Sequence, residues 1–397
     1  MIYPMGINNG GSMRSVIVVA FGGKSTEHDV SVITGVLALN ALKGVGESVL
    51  PLYIDERGRW LTGEWMKDVK AFSCLEGQKS KKVFFLPGND TLYEKKKKKL
   101  KPIATVRAAM VCLHGKNGED GLFAAQMLAS NVPVSCPPMT ESALLMDKWL
   151  SKSVFREMGI PVLPATSVLK TDFIANPKKV CESIQEKTTF PVCVKPARLG
   201  SSIGISVCEN MDELAEGLST AFRYDFRAVI EPALPDFTEY SVAVYEKGER
   251  TICGAPLKQN HRGKILSFKE KYGEQGAYSG SGTGCENGEE NAKISEACLL
   301  AQLTELSKKV YQGLRLTGVV RVDFLCVGSQ VYLNEINTIP GSLSYYYFAE
   351  STQDAGAFFS ELLQEGIMRF REDNALETAF ASTVLSGICG GGKCGKK

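Results

Sequence analysis

Three short apolar runs, at 16–21, 49–54 and 107–113, are each followed at once by glycine or polar turn residues, and the stretches between them have helical character. Apolar runs of this length bounded by turn signals read as buried strands. Alternation with helices predicts an α/β domain built on an open parallel sheet, whose ligand edge lies at the strand ends. Two polar segments fall at that edge. One is "FGGKSTEHDVS" at 21–31, and the other is "HGKNGEDG" from His114 to Gly121.

A chain of 397 residues is too long for one small core and predicts two or three domains. Forty-six basic residues balance forty-four acidic ones, so no basic footprint of a nucleic-acid binder exists and small substrates are expected as partners. No apolar run approaches the ~20 residues of a membrane span, and the N-terminus lacks a charged segment followed by an apolar one, so no membrane partner and a cytoplasmic location are expected. The twelve cysteines are scattered through segments such as "VCL", "VCV" and "FLC", where buried reduced thiols are expected. Cys389 and Cys394 stand apart in a Gly- and Lys-rich tail, and a zinc site there would need two further ligands.

Along the chain, residues 1–13 read as a disordered leader, 14–136 as the N-terminal α/β domain, 137–230 as a central unit, 231–381 as a C-terminal unit and 382–397 as a flexible tail. The five lysines at 95–99 read as a solvated loop or hairpin tip. "TESALLMDKWLSKSVFREMG" reads as one helix closed by Pro161. No internal repeat is found.

Gly-Lys-Ser at 23–25 has the end of a phosphate loop but not its beginning. Such a loop needs a glycine five residues earlier for its amides to curl around phosphate, and position 18 is Val18, inside the strand. "FPVCVKPARLGSSIGISV" at 190–207 is the better phosphate candidate. A strand carrying Lys195 leads into a loop with Gly200, Ser201, Ser202 and Gly204, and then returns to strand.

Near the C-terminus, "VVRVDFLCVGSQVYLNEIN" reads as a hairpin turning at 327–330. Period-two alternation puts Arg321, Asp323 and Leu325 on one face of the first strand, and Leu333, Glu335 and Asn337 on one face of the second. Asp323 then stands within about one residue of Glu335 across the hairpin. Two carboxylates and an amide oxygen form a hard-oxygen set of the kind that holds Mg²⁺ against nucleotide phosphates, with Mn²⁺ as an alternative ion. A solvent-facing charged patch with Arg321 as counter-ion is the other reading of the same residues.

The ordered set "GGKSTEHDVS", "LHGKNGEDG", "SALLMDKWLSK", "FPVCVKPARLGSSIGIS", "KEKY", "RVDF" and "NEINTIPG" resembles the D-alanine:D-alanine ligase family of the ATP-grasp superfamily, over roughly residues 15 to 365. The resemblance implies an ATP-grasp fold, in which ATP lies between central and C-terminal subdomains and amino-acid substrates meet it from the N-terminal domain. It further implies a homodimer and a role in peptidoglycan precursor synthesis.

Carried over by position, the resemblance implies that Lys148, Lys195 and Lys271 bind phosphates, that Ser201 and Ser202 cover them, that Glu231 through Leu234 recognise adenine, and that Glu239 reaches the ribose. Asp323, Glu335 and Asn337 would hold two Mg²⁺. One amino-acid carboxylate would attack the γ-phosphate to give an acyl phosphate, and the amine of the second would attack that carbonyl, with the oxyanion met by Arg321 and the Gly341 N–H. "FGGKSTEHDVS" becomes the turn that grips the first ammonium. Asp29, Ser201 and Tyr272 would form the family triad, with His114 beside the substrate.

Three positions depart from the family pattern on this reading. Asp29 stands where Glu is usual, Tyr346 stands where a serine holds the acceptor carboxylate, and the loop after Tyr272 lacks the usual Pro-Ala. They leave open a related ligase with another acceptor, such as D-serine, a hydroxy acid or another amino acid. Tyr346 would either line the acceptor site or pack among its neighbours. A nucleotide-binding regulator without catalysis is the reading from a different class, and the complete set of lysines and metal ligands argues against it.

Overall fold

The computed structural model describes residues 13–97, 99–259 and 290–379, with the side chains of the last stretch described from 296 onward. The leader, Lys271, Tyr272 and the cysteine tail lie outside the described residues.

β1 (Ser15–Gly22) is almost wholly buried on both faces, as its unbroken apolar sequence requires. It pairs in parallel with β2 (Val49–Ile54) and β6 (Lys99–Val111). The expected open parallel sheet stops there. β3 (Trp60–Thr62), β4 (Lys81–Leu86) and β5 (Asn89–Lys96) continue as an antiparallel meander from β2 to β6 and close the sheet on itself. The physical reason is connection length. Two residues between β5 and β6 permit only a hairpin, whereas a parallel pair needs a long crossover. Lys95, Lys96, Lys97 and Lys99 of the lysine run lie exposed at that hairpin's tip.

α1 (His28–Gly44) crosses over between β1 and β2 and packs on β1. Gly35 permits this approach, because a Cβ there would lie 2.2 Å from the Phe21 ring. α2 (Leu122–Ala129) follows β6. The single helix expected at 140–159 is two, α3 (Met139–Met146) and α4 (Lys148–Glu157). Asp147 breaks it by adopting extended backbone and accepting from the Trp149 and Leu150 amides as an N-cap.

The central unit is a four-stranded antiparallel sheet ordered β7 (Thr166–Leu169), β10 (Arg227–Pro232), β8 (Val192–Pro196), β9 (Ser206–Cys208), with α5 (Lys170–Ala175), α6 (Pro177–Gln185) and α7 (Met211–Ala221) around it. The C-terminal sheet runs β12 (Arg250–Cys253), β11 (Thr238–Lys247), β14 (Val320–Val327), β15 (Gln330–Asn337), with the short β13 (Leu257–Lys258) also on β11. α8 (Glu290–Gly313) covers it. α9 (Ala355–Ala375) bonds this sheet through Glu361, which takes Tyr245 and Lys247 of β11, but its apolar face goes elsewhere. Its Phe358, Phe359, Leu362 and Leu363, with Ile339 and Leu343 before it, are buried in the N-terminal core. The chain's last strand therefore feeds a segment that crosses back onto the first domain.

Candidate active site

The two later sheets face each other across a cavity of about 620 Å³. Leu163, Pro191, Ile205, Val207, Phe237 and Leu325 make it largely apolar, and Lys148, Lys195, Glu239 and Glu335 supply charge at its rim and floor. An apolar slot with a few convergent charged groups is the form of a nucleotide site. Ser201 and Ser202 lie on its wall, both in left-handed backbone with φ of 55° and 58°. The tight turn that these values make returns β8 toward β9 and exposes the loop to the cavity.

Lys195 leaves the buried β8 and donates from Nζ to Glu231 Oε2 at 2.7 Å and to Asn334 Oδ1 at 3.3 Å. From α4, Lys152 ion-pairs with the other Glu231 oxygen at 2.7 Å. The side chains of Lys152 and Glu231 are each 1 % exposed. Burial works against the Glu231 charge, yet the two lysines hold its pKa down to about 2. Burial likewise lowers the Lys152 pKa, against the pull of Glu231. The Glu231 acid, expected to recognise adenine, is thus engaged by two lysines. Its carboxylate lies between two ammonium groups, and Glu231 lines the cavity together with Pro232 through Pro235, including Leu234. Lys148 opens α4 where Asp147 caps it, donates to the Leu199 carbonyl at 2.9 Å and pairs with Glu335 at 2.9 Å.

The hairpin expectation holds for the carboxylate pair but not for Leu333, which an extra residue at Asn334 sets opposite Phe324 in the core, on the face away from Glu335. Asp323 stands opposite Glu335, Arg321 stands opposite Asn337, and a bulge follows Asp323. Arg321 binds Asp323 through two N–H groups at 2.8 Å each, and Asn337 Nδ2 donates to Asp323 at 2.8 Å. Burial raises the Asp323 pKa against Arg321's pull, so its charged form calls for cationic company. Among the described residues no three His, Cys, Asp or Glu side chains form a preformed metal cage. The hard-oxygen chemistry of Asp323, Glu335 and Asn337 nevertheless fits a divalent cation, and Arg321 and Lys148 now sit against the two carboxylates that such an ion would share.

The turn after β1 corrects a second expectation. Gly22 and Gly23 adopt φ of 89° and 97°, and a Cβ on Gly22 would lie 2.3 Å from the Ile54 carbonyl, so only glycine fits. The Gly22 amide donates to Ser31 Oγ, which donates to the Cys112 carbonyl. The carboxylate that this turn delivers to Ser201 is Glu27, which accepts from Ser201 Oγ and is 6 % exposed. Asp29, two residues on, points away. It is exposed and lines a separate cavity of about 570 Å³ with Tyr53, Arg57, Arg59 and Phe72. Consecutive positions around a helix start differ by about 100°, so a two-residue shift reverses the face. The apparent shortening of the turn's acid is thereby removed.

His114 is buried and shares hydrogen bonds with Thr34 Oγ1 at 2.9 Å and the Ile339 carbonyl at 2.8 Å. Burial lowers its pKa to about 4. Glu119 accepts from the Gly115 amide at 2.9 Å, and burial, with Glu27 and Glu335 nearby, raises its pKa to about 8. Gly341 opens the short helical segment Gly341–Tyr347. Within that segment Tyr346 packs its ring against Tyr345 and Tyr347, at centroid distances of 6.0 and 5.0 Å.

Two family models match, the D-ala D-ala ligase N-terminus over residues 16–136 and the D-ala D-ala ligase C-terminus over residues 154–368. The chain belongs to the D-ala D-ala ligase family. Among curated members, the D-alanine--D-alanine ligase of Thermosipho melanesiensis is 31% identical over 90% of this chain and 94% of its own length, and that of Enterococcus faecalis is 31% identical over 88% and 97%. The crystal structure of the Helicobacter pylori D-Alanine-D-Alanine Ligase superposes with a TM-score of 0.69 at 25% identity, covering 89% of this chain and 98% of that one. Solved members of the family therefore share the ATP-grasp architecture seen here.

Seen as a D-ala D-ala ligase family member, the chain also shows which site residues its sequence concealed. Glu27 and Glu119 lie inside the quoted motifs, but only tertiary contacts separate them from Asp29 and Asp120. Lys152 follows Lys148 by one helical turn in "DKWLSK", a spacing that could have flagged it. Thr34 carries no sequence signal beyond standing seven residues, two helical turns, after Glu27.

Proposed function

We propose that this protein is an ATP-dependent, ADP-forming ligase that joins two D-alanine molecules, providing D-alanyl-D-alanine for peptidoglycan, and that it works as a homodimer through its N-terminal domains. The observation that carries the proposal is the contact between Ser201 on the nucleotide-cavity loop and Glu27 in the glycine turn. It joins a lysine-lined cleft to an acid-lined pocket, so that phosphate and ammonium are brought to one place.

Lys148 and Lys195 neutralise the phosphates of ATP, with Lys195 oriented by Glu231. Glu27 receives the ammonium of the first amino acid, and Ser201 fixes the rotamer of that carboxylate. The first carboxylate takes the γ-phosphoryl group and ADP leaves. The second amine then attacks the activated carbonyl, and phosphate leaves. Arg321 and the Gly341 N–H face the developing oxyanion. Mg²⁺ held by Asp323, Glu335 and Asn337 supplies charge neutralisation to the transferring group when bound. Lys271 and Tyr272, which lie outside the described residues, complete the proposed phosphate and triad contacts.

The test is phosphate release from ATP and Mg²⁺ by the purified protein, with D-alanine, L-alanine, D-serine, glycine and D-lactate singly and in pairs, and with products identified by mass. D-alanyl-D-alanine as the main product is expected. A mixed product in preference to it would overturn the acceptor assignment, and no ATP consumption with any pair would overturn the enzyme reading.

A further inference from the structure

α1 carries three polar residues at helical spacing, Glu27 at its N-cap, then Ser31 and Thr34, on the face turned to the site. Thr34 is 1 % exposed and its hydroxyl lies at a junction of three chain segments. The Ser342 amide donates to Thr34 Oγ1 at 3.1 Å, and Thr34 Oγ1 lies 2.9 Å from His114 Nε2. His114 Nδ1 in turn lies 2.8 Å from the Ile339 carbonyl. Thr338 Oγ1 also donates to the Glu119 carbonyl at 3.2 Å.

The donors and acceptors fix the protons. A carbonyl only accepts, so Nδ1 must carry the hydrogen that reaches Ile339. Burial keeps the imidazole neutral at pH 7, which leaves Nε2 as an acceptor. The Thr34 hydroxyl therefore donates to Nε2 while a lone pair takes the Ser342 amide. For a neutral imidazole no other arrangement satisfies all three bonds.

The segment held in this way is unusual. Ser342, Leu343 and Ser344 follow Gly341 with φ of 51°, 50° and 50°. Three successive non-glycine residues in left-handed backbone persist only where surrounding contacts over-determine them. Gly341, four residues after Asn337, is the proposed oxyanion donor.

We propose that Thr34 is a positioning residue, which sets the His114 tautomer and, through His114 and Ser342, holds the 338–344 segment so that the Gly341 N–H meets the reacting carbonyl. The inference rests on the proposed ligase reading for its kinetic arm only. In it the N-terminal domain completes the oxyanion apparatus of the C-terminal one, and His114 acts as a neutral clasp.

The experiment uses the full chain labelled with ¹⁵N-histidine, which contains three histidines, the His114 signals being those lost in His114→Gln. The wild type is expected to show a protonated Nδ1 and a hydrogen-bonded, unprotonated Nε2. In Thr34→Val the Nε2 resonance should move downfield to the unbonded position, and kcat for ligation should fall roughly 10- to 100-fold with the KM for ATP unchanged. Thr34→Ser, which keeps the hydroxyl, should restore both and guards against a simple folding defect. A protonated Nε2 in the wild type, an unmoved Nε2 resonance in Thr34→Val, or a Thr34→Ser as impaired as Thr34→Val would each overturn the proposal. Should the wild type make no dipeptide, the ligase reading fails, while the resonances still decide the clasp.

Discussion

Glu231 and Glu119 are both buried glutamates within one cleft, and their carboxyl groups are driven in opposite directions, to about 2 and to about 8. Burial opposes the charge of each. The difference lies in company. Glu231 is flanked by Lys152 and Lys195, whereas Glu119 has Glu27 and Glu335 nearby and only backbone amides to offset them. The cleft thus has a cationic end suited to a polyphosphate and an anionic end suited to ammonium groups and a divalent cation. Each end gathers groups of the sign opposite to its proposed substrate, which is how a preorganised site favours the bound state without reorganising.

The largest test of that contrast is Glu335→Ala, where the two ends meet. Removing the carboxylate shared by Lys148 and the cation site should lower ADP formation by ~10³-fold or more, since metal charge stabilisation contributes several kcal/mol. Circular dichroism should be unchanged, and undiminished turnover would defeat the metal assignment. Lys152→Met attacks the cationic end. It leaves Glu231 with one partner and should destabilise the fold by about 3–5 kcal/mol, read by urea denaturation, while raising the KM for ATP. A change in the amino-acid KM alone would contradict the division.

Glu27→Gln tests the anionic end. Loss of a charge-assisted bond of about 1.5–3 kcal/mol should weaken the first amino acid roughly 10- to 100-fold and leave ATP binding intact. Asp29→Asn should change neither affinity, because Asp29 faces a different cavity. The smallest effect belongs to Glu119. Its folded-state pKa is raised from 4.5 to about 8, so its contribution to stability is fully present below pH 4.5 and is lost as pH rises through 8. In metal-free protein the Tm of Glu119→Gln relative to wild type should therefore climb between pH 5 and pH 8. A flat difference would mean that burial and the neighbouring carboxylates do not raise the Glu119 pKa.

Much of this was readable before any fold was known, wherever the information is local. The hairpin from Arg321 to Asn337 follows from period-two alternation and a short turn, which put Asp323 within about one residue of Glu335, while the bulge at Asn334 that brings the two into opposition left no mark in the alternation. The Gly-Ser loop and the exposed lysine tip were legible for the same reason. The helix at 140–159 was half legible. Its apolar spacing was plain, but Asp147 could be read either as an exposed interior residue or as a cap.

What the sequence by itself determined is the set of chemical groups and their order: a glycine turn with acids after it, lysines at a strand end, and paired oxygens on a hairpin. What only the tertiary structure decided is which acid faces which partner. Glu27 and Asp29 stand two residues apart with equal local claims, and contact with Ser201, 174 residues away, separates them. Lys152 became part of the site through Glu231, and Thr34 through His114 and Ser342, by bonds that span the chain. Closure of the N-terminal sheet and the return of α9 to its core are likewise long-range events. Hydrogen-bond geometry and burial act on neighbours in space, and a linear pattern records only neighbours in sequence.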